Sequence, residues 1–262
     1  MSVKEKMTTI ADAIRAKTGE SEPLSLDGMA QGVDKVFAAG EQSEYDRFWD
    51  VFQENGRRGD YRYVFAGTAW TQETLKPKYD IIVNDAAQSM FHVSGFAGDL
   101  AQYLENIGVK LDISKASNVH SLFNSAQSIT RVGTINITSA GVANSALFAY
   151  CGQLNTIDKL VVSATNAWVS TFVNCSALQN LAIEGTVGTT GLNLQWSTKL
   201  SKASIASVVN ALSATTSSLS ATFSKTAVDA AFETSAGAAD GSVSAEWTAL
   251  ANTKSNWTIN LA

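Results

Sequence analysis

Two cysteines, two histidines and a scatter of carboxylates are the residues of this sequence that could do chemistry. Cys151 and Cys175 stand 24 residues apart, too few for a metal cluster of their own or for a disulfide framework. Neither His92 nor His120 has a serine and an aspartate, or a cysteine, at a spacing that would make a catalytic triad or a pair of metal ligands. No glycine-rich phosphate loop occurs. Asp46 and Asp50 fall one helical turn apart and read as a solvated face. Glycan cleavage by two carboxylates needs acids that can lie far apart in the chain, so it is the one catalytic chemistry that spacing does not test. The expectation is a protein that is not an enzyme and uses no cofactor and no metal.

Charge narrows the partners. The formal net charge is −5, and no basic run goes beyond Arg57-Arg58. That lacks the footprint phosphate neutralisation requires, so no nucleic-acid partner is expected. The first twenty residues carry Lys4, Glu5, Lys6, Asp12, Arg15 and Lys17 in place of the apolar stretch of a secretory signal. No run of 18 apolar residues occurs, so membrane insertion is not expected either. A product made in the cytoplasm and not exported by the general secretory route is the expectation. The composition is 45% hydrophobic and 16% charged with two prolines, which fits an ordered chain surfaced by small neutral polar residues.

The elements that position these residues repeat. Leu122-Phe123-Asn124-Ser125-Ala126-Gln127-Ser128-Ile129 aligns with Leu147-Phe148-Ala149-Tyr150-Cys151-Gly152-Gln153-Leu154 and with Thr171-Phe172-Val173-Asn174-Cys175-Ser176-Ala177-Leu178. The phenylalanines fall 25 and 24 residues apart, and an aliphatic residue sits six positions after each. Self-similarity at this period is the signature of stacked supersecondary units. Both cysteines occupy the third position after the repeat phenylalanine, where the first unit has Ala126, so they read as small buried core residues. Short alternating segments at Leu111/Ile113, Ile135/Ile137, Leu160/Val162 and Leu181/Ile183 predict one strand per unit, although the last interval shrinks to 21. Asp112, Asn136, Val161 and Ala182 would then face outward.

Flanking segments change period. Residues 1–56 predict three short amphipathic helices, with Met7, Ile10, Ile14, Val33, Phe48 and Trp49 on their apolar faces. Such helices bury little alone, so this segment is expected to hold an oligomer, a trimer or a dimer. Residues 57–86 read as a joining segment or N-terminal cap, with Tyr61/Tyr63/Phe65 alternating as a strand that leads to another at Ile81–Val83. Residues 201–262 predict helices capped by Ser201 or Ser204, near Thr226 to Phe232 and from Ser244, with strands at Leu219/Phe223 and Trp257/Leu261. Helix-plus-strand units in that place would close an open-ended stack.

The F-x-x-C-x-x-L units resemble the BspA-type leucine-rich repeats of bacterial surface proteins and phage-encoded tail proteins, over roughly residues 87–200. They lack the Ile-Pro and Gly-x-x-Ala-Phe elements of the full consensus. The opening Ile10-Ala11-Asp12-Ala13-Ile14-Arg15-Ala16-Lys17-Thr18-Gly19, followed by Leu24-Ser25-Leu26-Asp27-Gly28-Met29-Ala30, is similar to a short helical module that begins many tail and baseplate proteins of phages infecting Gram-positive bacteria. The resemblance implies an α/β fold: N-terminal helices (1–56), a short leucine-rich-repeat solenoid (87–200) and a helix-plus-strand C-terminal cap (201–262). It implies a virion location in the tail or baseplate, other tail proteins as partners, and a host-surface glycan or protein as ligand. Lys110, Asp112, Thr134, Asn136, Thr138, Lys159 and Ser163 would form the candidate binding face. A purely architectural virion protein and a bacterial surface adhesin are the alternatives, and the adhesin needs an export route and an anchor.

Overall fold

Backbone conformation carries the repeat as much as side chains do. In the computed structural model, which describes residues 61–77, 79–214, 219–232 and 244–262, five phenylalanines share one local geometry. Phe65, Phe91, Phe123, Phe148 and Phe172 each have a residue of positive φ two positions before and two positions after. Gly67 is the only glycine among these ten flanking positions; the others account for every non-glycine positive φ among the described residues. Each left-handed residue reverses the chain, so the phenylalanine segments run as consecutive tight turns. The amides three residues after Phe91, Phe123, Phe148 and Phe172 donate back to the phenylalanine carbonyls at 2.9–3.3 Å: Ser94 at 3.1, Ala126 at 2.9, Cys151 at 3.1 and Cys175 at 3.3 Å.

These turns stack. Phe65 N donates to Met90 O at 2.8 Å, Phe91 N to Leu122 O at 2.8 Å, Phe123 N to Leu147 O at 2.9 Å and Phe148 N to Thr171 O at 3.0 Å. The rings follow the backbone, with successive centroids 5.1, 5.1, 5.5 and 5.9 Å apart from Phe65 to Phe172. The strand expected over Tyr61, Tyr63 and Phe65 is therefore corrected. Tyr63 has φ 60°, which no strand accommodates, and the segment is the first of the stacked turns.

In chain order the strands are β1 (Ile81–Ile82), β2 (Gly98–Asp99), β3 (Leu111–Asp112), β4 (Ile129–Asn136), β5 (Thr156–Val162), β6 (Asn180–Gly185), β7 (Leu192–Leu194), β8 (Leu219–Phe223) and β9 (Trp257–Leu261). The helices are α1 (Leu100–Asn106), α2 (Lys202–Ala211), α3 (Lys225–Ala231) and α4 (Ala245–Asn252). They form sheets β1-β3, β2-β4-β5-β6 and β7-β8-β9, and each of these strand pairs is parallel. The fold is a mixed α/β one with parallel sheets. All of these elements belong to the compact unit Arg58–Ala262.

Register explains the burial pattern. Val132, Ile135 and Ile137 are buried in one unit, and Ile157, Leu160 and Val162 in the next. Val132 pairs with Ile157 and Ile135 with Leu160. Ile135/Ile137 and Leu160/Val162 alternate as expected, while two residues rather than one separate Val132 from Ile135 and Ile157 from Leu160, in matched register. β6 lacks the extra residue: Leu181 pairs with Ile157 and Ile183 with Leu160, with an irregularity between them. The apparent interval of 21 came from matching Leu181 to Leu160. Its true partner is Ile157, 24 residues earlier. Each of the fully buried aliphatic side chains stabilises the stack by about 1.5–3 kcal/mol.

Beyond β6 the chain turns helical where the period changes. Ser201, Ser224 and Ser244 N-cap α2, α3 and α4, each side chain accepting from the amide three residues on. Trp247 of α4 packs on Phe223 and Phe232, with centroids 5.7 and 5.5 Å away. No helix among the described residues is long and apolar enough to cross a membrane.

Candidate binding surface

One unit is interrupted, and the interruption makes a cleft. Asp99 ends β2 and starts α1, because its Oδ1 accepts from Gln102 N at 2.8 Å and so caps the helix. Leu100 and Leu104, one turn apart, face inward. After α1 the chain reverses at Gly108, whose φ of 70° suits a residue without a Cβ. Val109 is buried and β3 follows. The excursion 100–110 thus occupies the place that Val132–Thr134 hold in the next unit.

The chain rejoins the repeat afterwards, as Ser139 Oγ donates to Ser114 O at 2.7 Å, 25 residues back. β3, however, pairs with β1 and not with β4. Between α1, β3 and β4 lies a cleft of about 560 Å³. Leu100, Leu104, Val109, Leu111, Val132 and Ile135 give it apolar walls. Glu105, Lys110, Asp112 and Thr134 add polar and charged groups to the lining. At Gly133 a Cβ would meet the Ala101 Cβ at 3.4 Å, so the missing side chain lets α1 sit close to the sheet. Asp112 is held below the usual carboxylate range, mainly because Ser114 hydrogen-bonds to it, including an amide donation at 2.9 Å.

Comparison with family models, with curated proteins and with solved structures finds no match to this chain. What the surface can bind therefore follows from its own chemistry. An apolar-walled cleft with one cation, two carboxylates and a hydroxyl suits an amphipathic ligand group held by a few polar contacts.

Of the residues placed on the binding face from sequence, Lys110, Asp112 and Thr134 line this cleft together. Lys159 stands beside it in register, paired with Thr134 across β4 and β5, and its ammonium meets Glu184 at 2.7 Å. Asn136, Thr138 and Ser163 serve local turns. Asn136 Oδ1 accepts from the Thr138 amide at 3.1 Å and from its hydroxyl at 2.8 Å. The Ser163 amide donates to Asn166 Oδ1 at 2.7 Å. Met7, Ile10, Ile14, Val33, Phe48 and Trp49, the expected assembly residues, lie outside the described residues.

Histidines and cysteines are absorbed by the stack. His92 Nδ1 lies 2.9 Å from Asn124 O, and His120 Nδ1 lies 2.5 Å from Ser145 Oγ, each reaching the following unit. Both thiols are free and buried. Cys151 Sγ donates to Phe123 O at 2.9 Å and Cys175 Sγ to Phe148 O at 3.1 Å, the same bond repeated one unit on. Burial pushes the Cys151 thiol up to about 12 and the Cys175 thiol well above its ordinary value. Among the described residues, no group of three or more His, Cys, Asp or Glu could hold a metal ion. Sequence reading missed α1 and the cleft it makes. The available signal was Asp99 before Leu100 and Leu104, with Gly108 as a stop.

Proposed function

We propose that this chain is a binding component of a bacteriophage tail or baseplate that contacts the host surface through a leucine-rich-repeat-type solenoid and catalyses no reaction. The observation that supports it best is the ladder of identical turns and parallel strands from Phe65 to Phe172. Stacked units give a stiff, extended surface whose outward residues vary without disturbing the core, which is what partner recognition needs. The cleft bearing Lys110, Asp112 and Thr134 is the place on that surface where a ligand group can be partly enclosed. In this reading residues 201–262 cap the solenoid, and residues 1–56 attach it to other tail proteins as a homo-oligomer. The resemblance in the opening segment supports the attachment role.

The test is electron imaging of the assembled particle with a label at Ala262, paired with host-cell binding by the isolated chain. A label at the distal end of the tail, with binding lost when Lys110→Ala and Thr134→Arg are combined in a folded variant, is the expected result. A label enclosed within the baseplate and no cell binding would leave the architectural reading in its place. A particle without the label would overturn the assignment altogether.

A further inference from the structure

We infer that Tyr150, with the side-chain amides of Gln127, Gln153 and Asn174, forms a subsite for one neutral sugar ring of a glycan. The inference rests on the binding reading above and gives it a ligand class and a second contact point. These residues line a shallow pocket of about 310 Å³ at the edge formed by the phenylalanine turns, together with Gly152. That volume is at the low end of ligand sites, the scale of a single ring.

Three independent features point to a ligand. Tyr150 is 48% exposed and occupies the left-handed position after Phe148, at φ 62°. The equivalent positions of other units hold Gly67, Val93, Ser125 and Asn174, and a bulky aromatic is among the costliest choices there. A fold-only requirement would favour Gly or Asn. Second, the three amides and the Tyr150 hydroxyl make no hydrogen bond within the described residues, so their donors and acceptors are presented outward. Third, Gly152 stands where the preceding unit has Gln127. Its φ is not left-handed, and a Cβ there would meet nothing within 4 Å. Neither strain nor crowding requires glycine at 152, and its bare backbone keeps the pocket open.

The chemistry matches a pyranose. One face of such a ring is a patch of C–H groups that lies flat on a tyrosine ring. Its equatorial hydroxyls each donate and accept, as a primary amide does through its NH2 and carbonyl. No charged side chain lines the pocket, so it selects neutral sugars rather than acidic ones.

The experiment is a titration of the full chain with glucose, galactose and N-acetylglucosamine, followed by the NMR signals of the Gln and Asn side-chain amides and by saturation transfer to the sugar. At least one sugar is expected to shift the Gln127, Gln153 and Asn174 amides at millimolar concentration. Tyr150→Asn, which suits the left-handed backbone better, should weaken that sugar by about tenfold or more without lowering the melting temperature. Gly152→Gln should do the same by filling the pocket. Absence of any shift in the wild-type chain, or undiminished binding by both folded variants, overturns the subsite. Host-cell binding that persists while no sugar binds would remove the subsite and leave the proposed function standing. Sugar binding at these amides by a chain absent from the particle would do the reverse.

Discussion

Ser204 of α2 takes the place of a neighbouring strand for Leu181 of β6: its Oγ accepts from the Leu181 amide at 2.9 Å and lies 2.9 Å from the Gln179 carbonyl, to which it donates. Ser207 repeats the device, accepting from the Ile183 amide at 2.9 Å. A parallel sheet that stopped at β6 would expose a row of amides to any passing strand, and two hydroxyls on one helix face close it. Ser204 is buried, so Ser204→Ala strands a β6 donor away from water. The expected cost is about 1–3 kcal/mol in urea unfolding. Ser207 is half-buried, where water can substitute, and Ser207→Ala should cost less, roughly 0.5–1.5 kcal/mol. Equal costs would contradict edge closure by Ser204.

The thiols make a prediction about alkaline pH. Cys151 rises from its ordinary 9.0 to about 12 through burial, and Cys175 rises as well. A raised folded-state value means the native chain holds the proton more tightly than the unfolded one. The Cys151 contribution is therefore fully present below about pH 9 and is lost as pH climbs from there toward 12, by roughly 1.4 kcal/mol per pH unit at most, and that of Cys175 is lost in the same direction. Other groups titrate in that range, so the measurement is the difference between the wild-type chain and a Cys151→Ala, Cys175→Ala double variant. The variant should be less stable at neutral pH, by about 1 kcal/mol for each lost bond to a phenylalanine carbonyl. Its deficit should shrink as pH rises. A constant deficit would mean that the thiols are not shielded as described.

Much of this architecture was legible because identical units must bury identical positions. Phe123, Phe148 and Phe172 announced the stack, and Ser201, Ser224 and Ser244 sit where helix-capping chemistry requires them. Tyr61-Arg62-Tyr63-Val64-Phe65 misled because its period-two pattern imitates a strand, while the positive φ at Tyr63 is invisible in side-chain hydrophobicity. Phe65 and Phe91 belong to the same stack but stand 26 and 32 residues ahead of the next member. The second interval is lengthened by α1, which hid the period and with it the cleft. Lys110, Asp112 and Thr134 were placed on one face from strand phase alone, and the enclosure they share comes from that insertion.

Arg131 ties the insertion to the sheet. Its guanidinium meets Asp99 at 3.0 Å and Asp158 at 2.8 Å, and these two carboxylates hold its proton more firmly than usual. All three side chains are about one-third exposed, so each pair is a modest contribution screened by salt. Asp99 has a second role as the α1 cap. Asp158→Ala should therefore cost under about 1 kcal/mol and lose its effect in high salt. Asp99→Ala should cost about 1–2 kcal/mol, most of it surviving salt, because capping hydrogen bonds are local. Hydrogen exchange should accelerate at the α1 amides in Asp99→Ala alone. Acceleration of equal size in Asp158→Ala would show that the ion pair, and not the cap, holds the helix in place.

Val93 offers the opposite sign. It occupies the left-handed position after Phe91 at φ 55°, where the branched Cβ crowds the following carbonyl. The backbone cannot relax, because the Val93 amide donates to Asn124 O at 2.9 Å as part of the inter-unit ladder. The side chain is 39% exposed, so little burial compensates. Replacing it with asparagine, which tolerates this conformation, should raise stability by about 1 kcal/mol. Val93→Gly should gain less, because glycine gives back roughly 0.5–1 kcal/mol in unfolded-state entropy. A loss of stability in Val93→Asn would mean that the valine methyl groups pack to better effect than their exposure implies, and that strain at this position is not what limits the stack.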